Sequence, residues 1–245
     1  MGDFMRPQWV RLVIGTLLTA LFVLSSPAAP AEARASSELC HLKLSNDHMP
    51  SVAVQRGVVF HREYLIDLKH CTFRIVNESR HAISRPLDSP EGGTLTSVSQ
   101  HFGNRLSGND PNVFEREETW DTYGGGFFET TYVEDRQTYS SDGANAYVSF
   151  LQTLTWERND GWFITAGPSQ WFNTPNPNSS VSTESYGAFN NTTFPCSCQP
   201  CDHQLWAELR SYADGTWTHS SAFTGDPGTT ICSGWVHVQE NYGSW

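Results

Sequence analysis

The chain has 245 residues, 13% of them aromatic, and 26 acidic against 15 basic side chains give a formal charge of −11. That excess of carboxylate repels phosphate backbones and anionic lipid, which argues against nucleic acid or a membrane surface as the main partner. A chain of this length buries a full core unaided, so cysteines and metals reinforce the fold rather than make it possible.

Arg6 and Arg11 precede an apolar run over residues 12–24, followed by Ser25, Ser26, Pro27, Ala28 and Ala29. That order of charged, apolar and small residues is the pattern of an export signal. Ala33-Arg34-Ala35 places small residues where a signal peptidase reads, so residues 1–35 are expected to be removed, leaving a secreted β-rich domain over 36–245. Removal takes Arg6, Arg11 and Arg34 together with Asp3 and Glu32, which moves the charge from −11 to −12. The apolar run is shorter than the roughly 20 residues a membrane helix needs, so no membrane span is expected after cleavage.

Residues 52–60 and 63–76 are rich in β-branched and aromatic side chains and read as two strands separated by a short polar step. Residues 84–112 then collect Pro86, Pro90, Gly92, Gly93, Gly103, Gly108 and Pro111, which predicts a long loop or a linker between subdomains. Four strand-like segments come next, at 113–123, 127–139, 147–157 and 161–172. They are punctuated by Gly124-Gly125-Gly126, Ser141-Asp142-Gly143 and Asn159-Asp160-Gly161, the signature of an antiparallel meander. Residues 173–183, with Pro175 and Pro177, read as a polar loop. Leu205, Trp206, Leu209 and Tyr212 recur at helical spacing behind Asp202, yet the same stretch leads through Asp214-Gly215 into Trp217 as a hairpin would. Further strands are expected at 217–223 and 232–240. The sum is a mostly β fold, an antiparallel β-sandwich or barrel reinforced by disulfides, with at most one or two short helices.

Six cysteines, Cys40, Cys71, Cys196, Cys198, Cys201 and Cys232, all lie beyond the leader. An even count in an exported chain favours disulfides, with Cys40 joined to Cys71 and two bridges among the other four. The cluster Cys196-Ser197-Cys198-Gln199-Pro200-Cys201-Asp202-His203 also has the donors of a zinc or copper site, and Cys198 and Cys201 have dithiol spacing. The metal reading lacks the usual two-lobed spacing, and the redox reading lacks a βαβ context, so both rank behind half-cystines. Asn77, Asn178, Asn190 and Asn191 fit the glycosylation pattern.

Pairing Tyr123 with Phe127 around the glycine turn sets Asp121 opposite Glu129, Thr119 opposite Thr131, Glu117 opposite Val133 and Glu115 opposite Asp135. Five carboxylates, Glu115, Glu117, Asp121, Glu129 and Asp135, then share one face. Like charges directly opposed are destabilising, so the face reads first as widely solvated and next as a cation site of the Ca²⁺ type. The third reading makes Asp121 and Glu129 a catalytic pair, since retaining glycosidases hold two carboxyls about 5–5.5 Å apart.

Tryptophans fill β cores, and exposed rings also stack on sugar faces. Trp162, Trp171 and Trp217 lie nearest the turns and are the ring candidates for a ligand. No serine sits in a nucleophile elbow, and the nine histidines form no close metal-ligand pair. The sequence therefore leads to a secreted, non-catalytic β protein that binds an extracellular glycan or cell-surface ligand and carries no cofactor, Ca²⁺ on the acidic face being the ion kept open. A polysaccharide-acting hydrolase and a structural or inhibitor-like interaction protein are the alternatives.

Overall fold

The computed structural model describes residues 39–45, 48–49, 57–83, 87–103, 110–123, 126–191, 202–226 and 235–245, with the backbone alone at 48–49, 121–123 and 126–128. The segment expected to be a leader, the expected cleavage site and Cys196, Cys198, Cys201 and Cys232 lie outside the described residues.

Among the described residues thirteen strands build two antiparallel sheets, and there is no helix. The six-stranded sheet runs β1 (Cys40–Ser45), β12 (Trp217–Gly225), β11 (Asp202–Tyr212), β10 (Ser180–Asn191), β9 (Trp162–Phe172), with the short β2 (His48–Met49) also on β12. The seven-stranded sheet runs β4 (Thr72–Ala82), β3 (Val58–Asp67), β13 (Trp235–Ser244), β6 (Asn112–Tyr123), β7 (Gly126–Ser141), β8 (Ala146–Arg158), β5 (Gly93–His101). The fold is a β-sandwich. Its Cys40–Cys71 disulfide ties β1 of one sheet to the β3–β4 turn of the other.

Several expected boundaries move. The break placed near residue 61 lies instead at residues 68–71, where the Asp67 carboxylate accepts hydrogen bonds from the His70 backbone N–H and ring and Cys71 takes the left-handed φ of 50° that turns the chain. The segment read as a loop or linker holds β5, an exposed edge strand that pairs with β8 through residue partners from Gly93↔Arg158 to His101↔Phe150. The segment with helical spacing is β11. Leu205, Ala207, Leu209 and Ser211 alternate inward along it, and Asp214 closes the hairpin to β12 by accepting from Thr216.

Inward residues divide the interior along every central strand. Val236 and Val238 on β13, Phe223 on β12 and Val133 on β7 join Tyr64, Ile66, Trp162, Phe189 and Leu205 in one apolar cluster. Tyr242, Trp217 and Tyr139 from those same strands join Val113, Val148, Leu151, Val181 and Leu209 in a second. Between them each strand turns polar: Glu240 on β13, His219 and Ser221 on β12, Asp135 and Gln137 on β7, Glu115 and Glu117 on β6, all buried. A polar layer thus lies inside the sandwich, flanked by two apolar ones.

Candidate functional site

Register assembles a site on the outer face of the six-stranded sheet. Trp171 on β9 pairs with Glu184 on β10, Glu184 with Glu208 on β11, and Glu208 with Ser220 on β12. Directly paired residues point to the same side, so these four form one row across four strands. The next row carries Ser169, Tyr186, Trp206, Ala222 and Lys43, with the Tyr186 and Trp206 rings 5.2 Å apart and the His41 ring edge-on to Trp206 at 5.5 Å. Trp171 is 38% exposed.

The Glu208 carboxylate is held on both oxygens: the Ser182 hydroxyl and Arg210 guanidinium donate to Oε1, and the Ser220 hydroxyl donates to Oε2 at 2.8 Å. Glu184 accepts from Asn173 Nδ2 at 3.0 Å. Two adjoining hollows open here, one of about 340 Å³ lined by Glu208, Arg210, Tyr212 and Thr218, the other of about 200 Å³ lined by His41, Glu184 and Trp206. They share Lys43, Glu208 and Ser220. The arrangement offers ring surface, fixed hydrogen-bond acceptors and two cations along one trough, with two carboxylates directly opposed at its centre.

Of the tryptophans expected to meet a ligand, Trp171 stands on this face. Trp162 and Trp217 do not: they are 6% and 1% exposed, because the strand parity that turns Phe163 and Thr218 outward drives both indoles into the core.

The acidic hairpin keeps its expected register at Glu115↔Asp135, Glu117↔Val133 and Thr119↔Thr131, but a bulge between Thr119 and Trp120 shifts the pairing beyond it by one residue. Glu129 pairs with Trp120, and Asp121 with Phe128, so the expected Asp121–Glu129 opposition does not form. The extra residue, Thr130, turns Glu129 to the other side of the sheet from Glu115 and Asp135. There burial and the Glu118 carboxylate raise it to about 9, against the lowering effect of Arg116. Glu118 and Glu134 share that outer side with Arg116, whose Nη2 lies 2.6 Å from Glu134 while its guanidinium donates to the Leu87 and Asp88 carbonyls.

Glu115, Glu117 and Asp135 form no solvated face, since all three lie in the polar layer with no exposed surface. There His219 Nδ1 lies 3.0 Å from Glu115 Oε2 and 3.2 Å from Glu240 Oε1. Burial alone would lower His219, but Glu115 and Glu240 raise it to about 10. Burial would likewise raise Glu240, yet the facing imidazolium holds it at about 2. Burial and the Glu240 charge leave Glu115 and Glu117 well above the usual carboxylate range. Asp135 accepts from Thr183 Oγ1 at 2.7 Å and is pushed by burial to about 7. His203, from the cysteine-rich cluster, is also buried, with Nε2 2.8 Å from Thr131 Oγ1.

Glu184, Glu208, Tyr186 and Trp206 escape notice in the sequence because their meeting depends on β10 pairing with β11, and both segments lack an unambiguous strand pattern. The alternation Ser182, Glu184, Tyr186 against Trp206, Glu208, Arg210 was the available signal. His219 and Glu240 had none, since His219 meets Glu115 only across the folded sandwich and Glu240 only through the pairing of β13, more than a hundred residues away in the chain, with β6. Comparison with known protein families, with curated proteins and with solved structures gives no match, so the site rests on its own geometry.

Proposed function

We propose that this is an exported protein that binds carbohydrate on the outer face of its six-stranded sheet, without turnover. The observation that carries this reading is the row Trp171, Glu184, Glu208 beside the Tyr186–Trp206 ring pair. Aromatic rings give a sugar an apolar platform while fixed polar groups set its orientation. Glu184 and Glu208 accept sugar hydroxyls; Lys43 and Arg210 donate to ring and linkage oxygens. Screening a glycan array with native protein and with Trp171→Ala and Trp206→Ala tests the reading. The expected result is a tenfold or greater loss in each variant, on the order of the 1.4 kcal/mol that a lost ring contact supplies. Equal binding by all three proteins refutes it.

One observation favours a second reading. Glu184 and Glu208 are directly paired, and residues so opposed hold their Cβ atoms about 4.5–5.5 Å apart, which leaves their carboxyl groups able to reach the roughly 5–5.5 Å a retaining glycosidase uses. In that reading Glu208, held in place by Ser182, Ser220 and Arg210, is the nucleophile and Glu184 the acid. Release of reducing sugar by native protein, lost in Glu208→Gln with glycan binding retained, distinguishes turnover from binding.

A further inference from the structure

The polar layer holds more acceptors than donors. At Nδ1 of His219 three oxygens converge: Glu115 Oε2 at 3.0 Å, Glu240 Oε1 at 3.2 Å and Ser45 Oγ at 3.2 Å. One ring nitrogen carries one hydrogen, which serves one of them well. Neither Glu115 oxygen receives a hydrogen bond in good geometry, nor does either oxygen of Glu117, the residue paired with Glu240 on the next strand; all are buried. Beyond the His219 ring nitrogen beside Glu115 Oε2 and the Ala222 backbone N–H beside Glu117, these oxygens are short of donors; buried carboxylates so poorly satisfied are costly and call for a cation. Glu240 is the exception. Its Oε2 accepts from the Tyr64 hydroxyl at 2.7 Å and its Oε1 from Ser221 at 3.0 Å, which fixes the carboxylate in place as ligand-orienting partners do in metal sites.

We propose that Glu115, His219 and Glu240 bind one divalent transition-metal ion of the zinc class inside the sandwich, through Oε2, Nδ1 and Oε1, with Glu117 as the adjacent third carboxylate. The three ligand atoms lie within 4.8 Å of one another. Donors around an ion with bonds of about 2.0–2.2 Å sit roughly 3.3–3.5 Å apart, so the observed 3.0 and 3.2 Å need only a few tenths of an ångström of opening. Charge favours an ion as well. With His219 a neutral ligand, the carboxylates of Glu115, Glu117 and Glu240 have only the Arg62 guanidinium nearby, with Nη1 3.6 Å from Glu240 and Nε 2.7 Å from Glu78, so a divalent ion offsets most of their charge. An imidazole nitrogen among so few oxygens fits zinc, manganese or iron and not Ca²⁺, which takes six to eight oxygen ligands. With every ligand sealed from solvent, the ion enters as the chain folds and serves the fold.

The test is elemental analysis of the secreted protein after dialysis against chelator, then unfolding in guanidinium with chelator and refolding with Zn²⁺, Mn²⁺, Ca²⁺ or no ion. The expected result is about one equivalent of transition metal in the native protein. Refolding with Zn²⁺ or Mn²⁺ is expected to raise the melting temperature by about 5 °C or more over the ion-free sample, with no gain from Ca²⁺. Glu115→Gln and His219→Gln are expected to lose the metal. A metal-free native protein with no melting shift on refolding overturns the site, and so does metal retained in full by both variants. If neither variant folds, the native protein's metal content and refolding shift decide. The site is independent of the outer glycan face, so neither outcome bears on the other.

Discussion

Asp135→Asn measures what a carboxylate costs between the two sheets. The side chain has no exposed surface, its Oδ2 is held by Thr183, and burial, with smaller contributions from the Glu208 and Glu134 charges, lifts it from 3.8 to about 7. In the unfolded chain it returns to the ordinary value. Between those limits the folded state holds a proton that the unfolded state has released, so stability is fully present below about pH 4 and falls as pH rises, levelling above about 7. Each pH unit is worth about 1.4 kcal/mol, which makes the total from this group roughly 4 kcal/mol. Asparagine keeps the volume and an acceptor for Thr183 and does not titrate. Urea unfolding of both proteins at pH 4, 5.5, 7 and 8.5 isolates the group as a difference. The two should be nearly equal in stability at pH 4, with the variant gaining progressively until neutrality. A difference that does not change with pH refutes the assignment.

Two other substitutions probe the frame. Removing the Cys40–Cys71 bridge by alanine at both positions frees a loop with a sequence separation of 31, which should cost about 3–4 kcal/mol in chemical denaturation at pH 7; a loss below about 1 kcal/mol would mean the sheets are held without it. Arg116→Met leaves the buried Glu118 without its cation and Glu134 with Arg136 alone, so a loss of about 3 kcal/mol is expected by the same measurement. An unchanged midpoint would show that the outer carboxylates are protonated and need no cation.

Strand parity explains how far the sequence could be read. The strands from β6 to β9 are legible because Asp142-Gly143 and Asn159-Asp160-Gly161 mark the turns between β7 and β8 and between β8 and β9, and Gly143 and Gly161 take the positive φ those turns require; the expected meander, however, ends at β8, since β9 crosses to the six-stranded sheet and pairs with β10. β5 is not legible, since its residues are exposed and polar and its flanks are rich in proline and glycine. Alternation shows that Glu115, Glu117 and Asp135 share a face, but not which face looks inward. That depends on His219, Tyr64 and Glu240 arriving from distant strands. The same ambiguity misplaced Trp162 and Trp217. The bulge at Thr119 had no local marker, yet a single extra residue decides the side on which Glu129 lies.

The position of β13 has a consequence for how the molecule is made. It is the last described strand, yet it sits in the middle of the seven-stranded sheet, paired along its length with β3 and with β6, as in Val58↔Ser244 and His237↔Trp120. Until residues 235–244 are available, β3 and β6 each present an open edge toward an empty place, and the inner layer lacks Glu240. A nascent chain therefore cannot mature half by half. It stays as two incomplete ribbons needing protection from pairing with other chains, and one late insertion closes the sheet.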